Sequence, residues 1–378
     1  MYRNDLIYHC AADFKSGGGI QTYLKSLFQH QGHGVSHELI DSLKTVDQGQ
    51  FKLLHVHEQQ MLWQLTGECP AVFTTHNHSS YCPSGTRYLA TTGLSCDRAL
   101  SPLGCAWGHF IDGCGSRRPH QVWQNLKNSY HDLSILQKHK IPVIAASEFV
   151  QNQLIRHGLP AERVMTLHYG ISEPKISHEP LTRDIHQAKR ILYVGRVVPY
   201  KGLDWLLKSL ATVDPHIHLD IAGDGWDRPR IEKLAEKLGV AQRIVWHGWC
   251  ENAKLESLYQ QCFALVFPSL WPEPAGLVTL EAYARYRPVI ASNLGGIPEH
   301  IRSDQTGILI TANHVNQLAG AITELSSNFS KSREMGEQGY ALFSENFTMN
   351  HHVDQLQKIY ERIIESFPNQ KSTGVKSP

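Results

Sequence analysis

The chain has 378 residues, of which 41% are hydrophobic and 19% are charged, a composition that excludes a wholly disordered chain. At about 150 residues per domain, this length predicts two or three domains. Lys and Arg total 36 against 35 for Asp and Glu, and the resulting net charge of +1 excludes a broad basic face for nucleic acid and an acidic tail.

No stretch of the sequence approaches the length of apolar residues that a membrane-spanning helix needs. The N-terminus also lacks the long apolar core of a secretory signal and instead resembles the lead-in to a first strand. We therefore expect a cytoplasmic chain whose 8 Cys residues are mostly free thiols.

In the first half, short β-branched runs alternate with amphipathic stretches, and this alternation predicts an α/β fold with parallel sheets. The predicted strands are 6–10, 53–57, 71–76, 142–147 and 163–168. Residues 20–29 place apolar side chains three and four positions apart, which is typical of a helix. Residues 77–118 are rich in Gly, Ser, Pro and Cys without periodicity, so we predict a long functional loop there.

Residues 172–190 are polar and contain two prolines, which indicates a linker between two α/β blocks. The strands predicted after it are 191–195, 218–222, 243–247, 263–267, 288–291 and 307–310. An apolar stripe predicts a helix over 202–213. The predicted organisation is a first domain over 1–171, the linker, a second domain over 191–349, a closing helix over 350–367 and a disordered tail over 368–378.

Arg196 and Lys201 lie in the turn between the strand 191–195 and the helix that opens at Gly202. Free backbone N–H groups at a helix start favour anions. The planar fork of Arg and the point charge of Lys together suit a diphosphate. This turn therefore predicts an anion site, with solvated surface charge as the alternative.

Glu273 and Glu281 flank the predicted start of another helix near Gly276. Glu273 lies on the loop after the strand 263–267, and Glu281 lies about one and a half turns inside the helix. The two carboxylates can therefore reach two ends of one ligand. Between them, Gly276, Leu277 and Val278 offer backbone N–H groups to a phosphate. The alternative is an ordinary helix-start acid followed by an exposed helix acid.

Three weaker patterns also follow predicted strands. Gly18 and Gly19 belong to a Gly-rich turn that lets a backbone approach a ligand closely, although the turn matches no known phosphate loop. His76 ends the strand 71–76, where an imidazole can donate to a substrate hydroxyl or phosphate. The Gly-Gly-Ile-Pro-Glu turn at 295–299 is typical of a simple helix entry.

With these motifs in this order, the chain resembles the retaining GT-B enzymes of glycosyltransferase family 4 over about residues 4–365. Glu273-x7-Glu281 is the most specific element of the resemblance. The first half matches through Gly18-Gly19-Ile20, His76 and residues 147–150. The resemblance implies two Rossmann-like domains that face each other across a nucleotide-sugar cleft, with the closing helix crossing back to the first domain.

The same resemblance implies roles for individual residues. Arg196 and Lys201 would bind the donor diphosphate, and Glu281 would hold the ribose. Glu273 would face the transferring sugar. Gly18 and Gly19 would approach the phosphates from the first domain, and His76 would lie where donor and acceptor meet. Glu273, His76, Arg196 and Lys201 are thus the expected catalytic set.

The implied activity is retaining transfer of a sugar, of the hexosyltransferase type, from a nucleotide-diphosphate sugar to the hydroxyl of a sugar or lipid-linked acceptor. The implied pathways are synthesis of cell-surface polysaccharide, lipopolysaccharide or glycolipid. No Asp-x-Asp occurs in the sequence, which argues against a metal-dependent GT-A enzyme, and we expect neither a metal at this site nor a cofactor. The alternatives are a GT-B sugar-nucleotide epimerase and an inactive nucleotide-sugar-binding partner protein.

The chain departs from the family pattern at three places. Tyr169-Gly170 stands where many members have Asn-Gly, and Asn77 follows His76 where Asp is common. The glutamate motif reads Glu-Pro-Ala-Gly instead of Glu-Gly-Phe-Gly. None of these differences removes a charged donor contact, so the donor chemistry is better defined than the acceptor.

The predicted loop 77–118 holds four cysteines. They are Cys82, Cys96, Cys105 and Cys114. Their spacing is not that of a zinc finger, so we predict free or packing thiols, with a structural metal as the first alternative and disulfides as the second. Because the loop directly follows His76, we expect it to shape the acceptor pocket. Arg117 and Arg118 at its end are a candidate contact for an anionic lipid-linked acceptor, with a solvated surface pair as the alternative. Such a contact would place the protein peripherally at the inner face of the membrane.

Overall fold

The computed structural model describes residues 6–11, 19–30, 36–41, 43 and 51–367. The predicted tail 368–378 and Gly18 lie outside these residues. Within the described part of the chain, no helix combines the length and the apolar character that crossing a bilayer requires.

The first sheet has six parallel strands. In spatial order they are β2 (Ser36–Ile40), β1 (Leu6–Cys10), β3 (Leu53–Val56), β4 (Ala71–Thr75), β7 (Val143–Ala145) and β8 (Val164–Thr166). The sequence pattern did not predict β2, because this edge strand is partly exposed and alternates poorly between apolar and polar residues. The central strands β3 and β4 are buried along their whole length, which explains their continuous apolar runs.

The second sheet also has six parallel strands. In spatial order they are β11 (Ile244–Gly248), β10 (His218–Ala222), β9 (Arg190–Val194), β12 (Ala264–Phe267), β13 (Val289–Ser292) and β14 (Gly307–Ile310). The carboxyl ends of parallel strands share one edge, so the turns after β9 and β12 are neighbours in space. The predicted architecture of two parallel-sheet α/β domains is confirmed.

Helices surround both sheets. In the first half they are α1 (Gly19–Gln29), α2 (Gln59–Leu62), α3 (Pro102–Phe110), α4 (Pro119–Lys138) and α5 (Glu148–Arg156). After these come α6 (Arg183–Gln187), α7 (Leu203–Leu210), α8 (Arg228–Lys237), α9 (Asn252–Gln261), α10 (Leu277–Tyr283), α11 (Val315–Ser327), α12 (Phe329–Asn346) and α13 (Met349–Ser366). The segment predicted as a linker therefore contains the short helix α6.

The segment 77–118 is more ordered than its composition indicates. It holds a two-stranded antiparallel ribbon, β5 (Tyr88–Leu89) with β6 (Leu94–Ser95), followed by α3. Tyr88 is buried against the apolar core of the second domain, and its ring centre lies 6.1 Å from that of Tyr200. The segment thus connects the two domains instead of lying loosely on the first.

The last helix, α13, packs against the first domain. Its apolar residues recur every three or four positions and form one buried face. The Tyr23 hydroxyl of α1 lies 2.8 Å from Nε2 of His352. At the crossing, a Cβ on Gly170 would lie 2.4 Å from the carbonyl oxygen of Thr348, so this close approach requires glycine.

Candidate functional site

The turn after β9 is fixed against the loop after β12. Gly202 has a φ of 79°, and a Cβ there would lie 1.8 Å from the carbonyl oxygen of Pro268. The backbone N–H groups of Leu270 and Trp271 both donate to the carbonyl oxygen of Tyr200, at 2.9 and 3.1 Å. Only glycine fits this approach, so Gly202 holds the two loops together.

Lys201 and Glu273 form an ion pair between these two loops. The Lys201 ammonium donates to Oε1 of Glu273, and the Ser269 hydroxyl donates to the same oxygen at 2.8 Å. The ammonium also lies 4.7 Å from the ring centre of Trp271, within the range of a cation–π contact. An anion that binds the Lys201 ammonium must therefore compete with the Glu273 carboxylate for it.

Arg196 stands beside this pair at the surface. Its guanidinium donates to the Tyr200 hydroxyl at 3.0 Å, and its side chain is exposed to solvent. The Tyr193 hydroxyl donates to the carbonyl oxygen of Arg196 at 2.9 Å and so fixes the backbone of the turn. The structure thus places both predicted cations at the carboxyl end of β9, with Arg196 accessible to a ligand.

The second predicted acid, Glu281, lies inside α10, which begins at Leu277. Gly276 precedes the helix with a φ of 71°, a conformation that favours glycine. Glu281 is half-buried, and Oε2 accepts a hydrogen bond from the Tyr259 hydroxyl at 3.2 Å. Burial raises the pKa of Glu281, and the Arg285 guanidinium opposes this shift. Glu281 is therefore not the exposed helix acid of the alternative interpretation.

The Gly-Gly-Ile-Pro-Glu turn holds the backbone of Glu273. The N–H group of Gly296 donates to the carbonyl oxygen of Glu273 at 2.7 Å. Gly295 has a φ of 65°, and a Cβ there would lie 2.5 Å from the Glu273 nitrogen. A Cβ on Gly296 would lie 2.9 Å from the Ser147 hydroxyl of the first domain. The turn interpreted as a helix entry therefore positions Glu273 and brings the two domains together.

Glu299 of the same turn caps a helix of the other domain. Its carboxylate accepts hydrogen bonds from the N–H groups of Glu148 and Phe149 at the start of α5, at 2.7 and 2.9 Å. Nε2 of His168 lies 2.8 Å from the same carboxylate. Sequence analysis missed this contact, although free N–H groups at a helix start always need an acceptor.

His78, not singled out from the sequence, makes a second contact across the domains. Its Nε2 donates to the carbonyl oxygen of Pro272 at 2.6 Å, so its Nδ1 accepts from the Tyr81 hydroxyl at 2.5 Å. Burial lowers the pKa of His78 to about 3, which keeps the ring neutral. His78 therefore anchors the loop that carries Glu273.

His76, the predicted strand-end histidine, has both ring nitrogens engaged. Nε2 lies 2.9 Å from Nδ1 of His57, and Nδ1 lies 2.5 Å from the Tyr169 hydroxyl. Burial lowers the pKa of His76 to about 3. His57 and His76 line a pocket of about 230 Å³ at the carboxyl ends of β3 and β4. A substrate hydroxyl can bond to His76 only by replacing one of these two partners.

A chain of imidazoles leads to His76 across four strands. Nδ1 of His37 lies 2.8 Å from Nε2 of His9, and Nδ1 of His9 lies 3.0 Å from Nε2 of His57. Burial lowers the pKa of His9 and of His57, so both rings are neutral. Because every link pairs an Nδ1 with an Nε2, all four rings carry their proton on the same type of nitrogen. The tautomer of His76 is therefore coupled to that of His37.

Three buried histidines of the first sheet, two of them in this chain of imidazoles, also meet the distance requirement for a metal site. Among the described residues, one ring nitrogen from each of His9, His55 and His57 lies within 4.8 Å of the other two. However, the His55 nitrogens lie 2.6 Å from the hydroxyls of Tyr360 and Thr74. Since the other rings also bond to neighbours through both nitrogens, we interpret the cluster as a hydrogen-bond network.

The four cysteines of the segment 77–118 converge on another cavity, of about 20 Å³. All four are half-buried free thiols. Among the residues searched, no three of their sulfur atoms lie within 4.8 Å of one another. For Gly19, the structure shows that α1 begins at this residue. Its predicted contact with the donor phosphates stays a prediction.

Comparison with known proteins classifies the second domain. Residues 182–342 match the family model described as glycosyl transferases group 1. Over these residues the chain is similar to group 1 glycosyltransferases. The α-D-kanosaminyltransferase of Streptomyces kanamyceticus is 28% identical over 216 residues, which cover 54% of this chain and 56% of that protein. The chain spans about half the length of the curated relatives reported, from 42% to 59%.

Solved structures extend the likeness to both domains. Sucrose-phosphate synthase from Thermosynechococcus elongatus superposes with a TM-score of 0.72 at 19% identity, covering 96% of this chain and all of that one. Anabaena HepE in complex with UDP-glucose gives a TM-score of 0.69 at 19% identity and covers 94% and 99% of the two chains. At these identities the likeness establishes the fold, and the predicted GT-B architecture is confirmed.

Proposed function

We propose that the chain is a retaining glycosyltransferase that moves a sugar from a nucleotide-diphosphate sugar to an acceptor hydroxyl. The observation that carries this proposal is the ion pair between Lys201 and Glu273, beside Arg196, at the carboxyl ends of β9 and β12. This edge of an open parallel sheet is where ligands bind. The group 1 domain and the GT-B fold support the same conclusion.

In this proposal the donor diphosphate binds Arg196 and Lys201. A Lys ammonium about 4 Å from a phosphate gains roughly 4 kcal/mol at an effective dielectric near 20. The N–H groups of Leu277 and Val278, at the start of α10, add further donors, and Glu281 holds the ribose. Gly19, where α1 begins, approaches the phosphates from the first domain in this proposal.

The two members of the ion pair act on opposite charges in the reaction. When the diphosphate binds, its negative charge draws the Lys201 ammonium away from Glu273. The Glu273 carboxylate, still held by Ser269, can then stabilise the positive charge that develops on the anomeric carbon. The acceptor hydroxyl attacks from the face that the diphosphate leaves, and an oxygen of the leaving phosphate takes its proton. This sequence retains the anomeric configuration.

The acceptor would enter the pocket beside His57 and His76. A hydroxyl that displaces Tyr169 from Nδ1 of His76 would be oriented by a neutral imidazole, whose tautomer is set by the chain of histidines. We further propose that the acceptor belongs to polysaccharide, lipopolysaccharide or glycolipid synthesis. The domain division at the linker 172–190 then separates an acceptor side from a donor side.

The direct test of the activity is a screen of nucleotide-sugar donors. Thermal shift with UDP-, GDP-, ADP- and dTDP-linked sugars identifies the donor that stabilises the protein. We expect this donor to release nucleoside diphosphate only when an acceptor is present. Interconversion of donor isomers without an acceptor would identify an epimerase instead, and binding without turnover for any acceptor would identify a binding protein.

Transfer should not require a divalent metal at the donor site. Because Arg196 and Lys201 supply positive charge to the leaving diphosphate, we expect initial rates to be unchanged after brief incubation with EDTA. The measurement is nucleoside diphosphate release with and without the chelator. Complete loss of activity that Mg²⁺ or Mn²⁺ restores would show that a metal shares the diphosphate.

We also propose that the first domain binds an anionic membrane surface. Leu103 and Trp107 of α3, with Ile111 at its end, are spaced four residues apart and are 85%, 58% and 52% exposed. Arg117 and Arg118, exposed in the following turn, add positive charge that attracts anionic lipids. Apolar and basic groups side by side are typical of helices that lie in a membrane interface.

Vesicle sedimentation tests this surface. We expect the protein to sediment with vesicles that contain phosphatidylglycerol, and Trp107→Ala to weaken binding about tenfold, because an inserted large apolar side chain contributes roughly 1.5–3 kcal/mol. Trp249→Ala is the matched control, since Trp249 is 70% exposed but lies in the second domain. Equal effects of the two substitutions, or no binding by the wild type, would contradict the proposal.

A further inference from the structure

The cavity of the four cysteines is built from separate parts of the segment 77–118. Its thiols are contributed by Cys82, Cys96, Cys105 and Cys114. Cys105 comes from α3, while the other three lie in turns and in the chain beside β6. A volume of about 20 Å³ is close to that of one water-sized sphere, so the cavity can hold a single ion and nothing larger.

Three buried polar atoms on the wall of this cavity have no hydrogen-bond partner. They are Nε of Arg87, Nη1 of Arg98 and Nε2 of His109. Arg87 and His109 are almost fully buried, at 4% and 1% exposure. Buried polar atoms are nearly always bonded, and each exception requires an explanation. The two guanidinium N–H groups need an acceptor, which a thiolate would supply, and Nε2 of His109 can bind a metal ion.

The histidine presents a lone pair to this cavity. Nδ1 of His109 lies 2.9 Å from the carbonyl oxygen of Ser116, which can only accept, so Nδ1 carries the proton. Nε2 is then unprotonated and free to ligate. An imidazole held by a carbonyl at one nitrogen is the usual arrangement of a metal-bound histidine.

We propose that this cavity is a structural zinc site, with four ligands drawn from the four cysteine thiolates and Nε2 of His109. Thiolate and imidazole are the ligands that Zn²⁺ prefers, and a tetrahedral site with three or four cysteines is a common structural form. With four thiolates the site carries two net negative charges. Arg87 and Arg98 lie on the cavity wall beside them, and Arg98 also pairs with Asp112 at 2.6 Å.

Zinc binding requires the thiols to move closer together. Zn–S bonds of about 2.3 Å place tetrahedral sulfurs about 3.8 Å apart. Here no three atoms among the four sulfurs and Nε2 of His109 lie within 4.8 Å of one another. Rotation of the side chains can close this difference, because three of the four cysteines lie outside helices and strands. A Cβ on Gly108 would lie 3.2 Å from the Cys114 sulfur, so glycine leaves room for the movement.

The buried histidine cluster of the first sheet is the weaker candidate for a metal. His9, His55 and His57 satisfy the distance requirement, but the ring nitrogens of all three already have hydrogen-bond partners. Metal binding there would break bonds between buried groups. At the cysteine cavity, binding would satisfy atoms that have no partner.

The site would fix the segment 77–118 against the donor domain. This segment contains two strands of two residues and one helix of nine, which is little regular structure to hold it in place. Tyr88, between two of the ligands in sequence, packs beside Tyr200 and hence beside Arg196. Zinc would therefore order the wall of the cleft without taking part in sugar transfer.

Metal analysis of the full-length protein, purified without chelator or metal-affinity tag, tests the site. We expect one zinc per chain by inductively coupled plasma mass spectrometry. Titration of the wild type with a mercurial reagent should release the zinc as three or four thiols react. Replacement by Co²⁺ should produce a thiolate-to-cobalt charge-transfer band. These three measurements need no variant to fold.

Serine substitutions identify the ligands. We expect at least two of the variants Cys96→Ser, Cys105→Ser and Cys114→Ser to reduce bound zinc at least tenfold, because only one of the five candidate groups is not a ligand. The matched controls Cys69→Ser and Cys250→Ser, outside the cavity, should retain one zinc per chain. Absence of zinc and of the cobalt band in the wild type would overturn the proposal. So would disulfides found by intact mass, or equal zinc content in all variants.

Discussion

Replacing Glu273 with Gln should lower kcat about 100- to 1000-fold without weakening the affinity for the nucleoside diphosphate, because Lys201 is freed from its ion pair. The substitution keeps the shape of the side chain and its hydrogen bond with Ser269, but it removes the negative charge that faces the developing positive charge. Loss of such a preorganised interaction costs about 2.7–4 kcal/mol of transition-state stabilisation. Steady-state kinetics and calorimetric titration with the diphosphate measure the two quantities.

The anomeric configuration of the product decides whether this assignment is correct. NMR of the anomeric proton, in product made from an α-linked donor, should show an α linkage. Glu281→Gln is the internal comparison, because Glu281 is assigned to the ribose and its loss should weaken donor binding more than kcat. A β product would mean inversion and would transfer the role of base to His76.

Removing either cation of the diphosphate site should lower turnover about tenfold to a hundredfold. Arg196→Ala and Lys201→Ala each delete a hydrogen bond to a charged group, which contributes about 1.5–3 kcal/mol. Lys201→Ala also leaves Glu273 buried without its ionic partner, so we expect this variant to lose thermal stability as well. Arg196 is exposed, so its loss should leave the melting temperature unchanged.

Lys208→Ala provides the control for charge. Lys208 lies on α7, which follows the Lys201 turn, and its side chain is exposed. This variant should have wild-type kinetics and stability. If Arg196→Ala and Lys201→Ala also had wild-type kcat/KM, the diphosphate could not bind at this turn.

Short-range patterns were sufficient to predict most of the elements. Apolar residues that recur every two positions indicate a strand, and those that recur every three or four indicate a helix. Patterns of this kind, with short apolar runs, predicted eleven of the twelve strands in the two large sheets. The missed strand, β2, lies at an edge where burial does not impose alternation. The segment 77–118 was predicted as a loop because its helix and strands are too short to show a period.

The residues that we propose for the donor site could also be named before the structure. Arg196, Lys201 and Glu273 follow buried strands, and the carboxyl ends of parallel strands meet at one edge. The sequence could not show that the Ser269 hydroxyl and the Gly296 N–H group position Glu273. These groups contact Glu273 only because separate loops pack together. The engagement of both nitrogens of His76 was likewise beyond prediction, since Tyr169 lies 93 residues away.

Local patterns in the sequence were enough to predict the alternation of strands and helices and the charged groups at the strand ends. Which of these groups meet depends on tertiary packing. Glu299 caps a helix 151 residues away, and four histidines align across four strands. Hydrogen bonds form only within a few tenths of an ångström of their preferred length, and local periodicity carries no information about distance between remote segments. Strand register and domain packing supply that information.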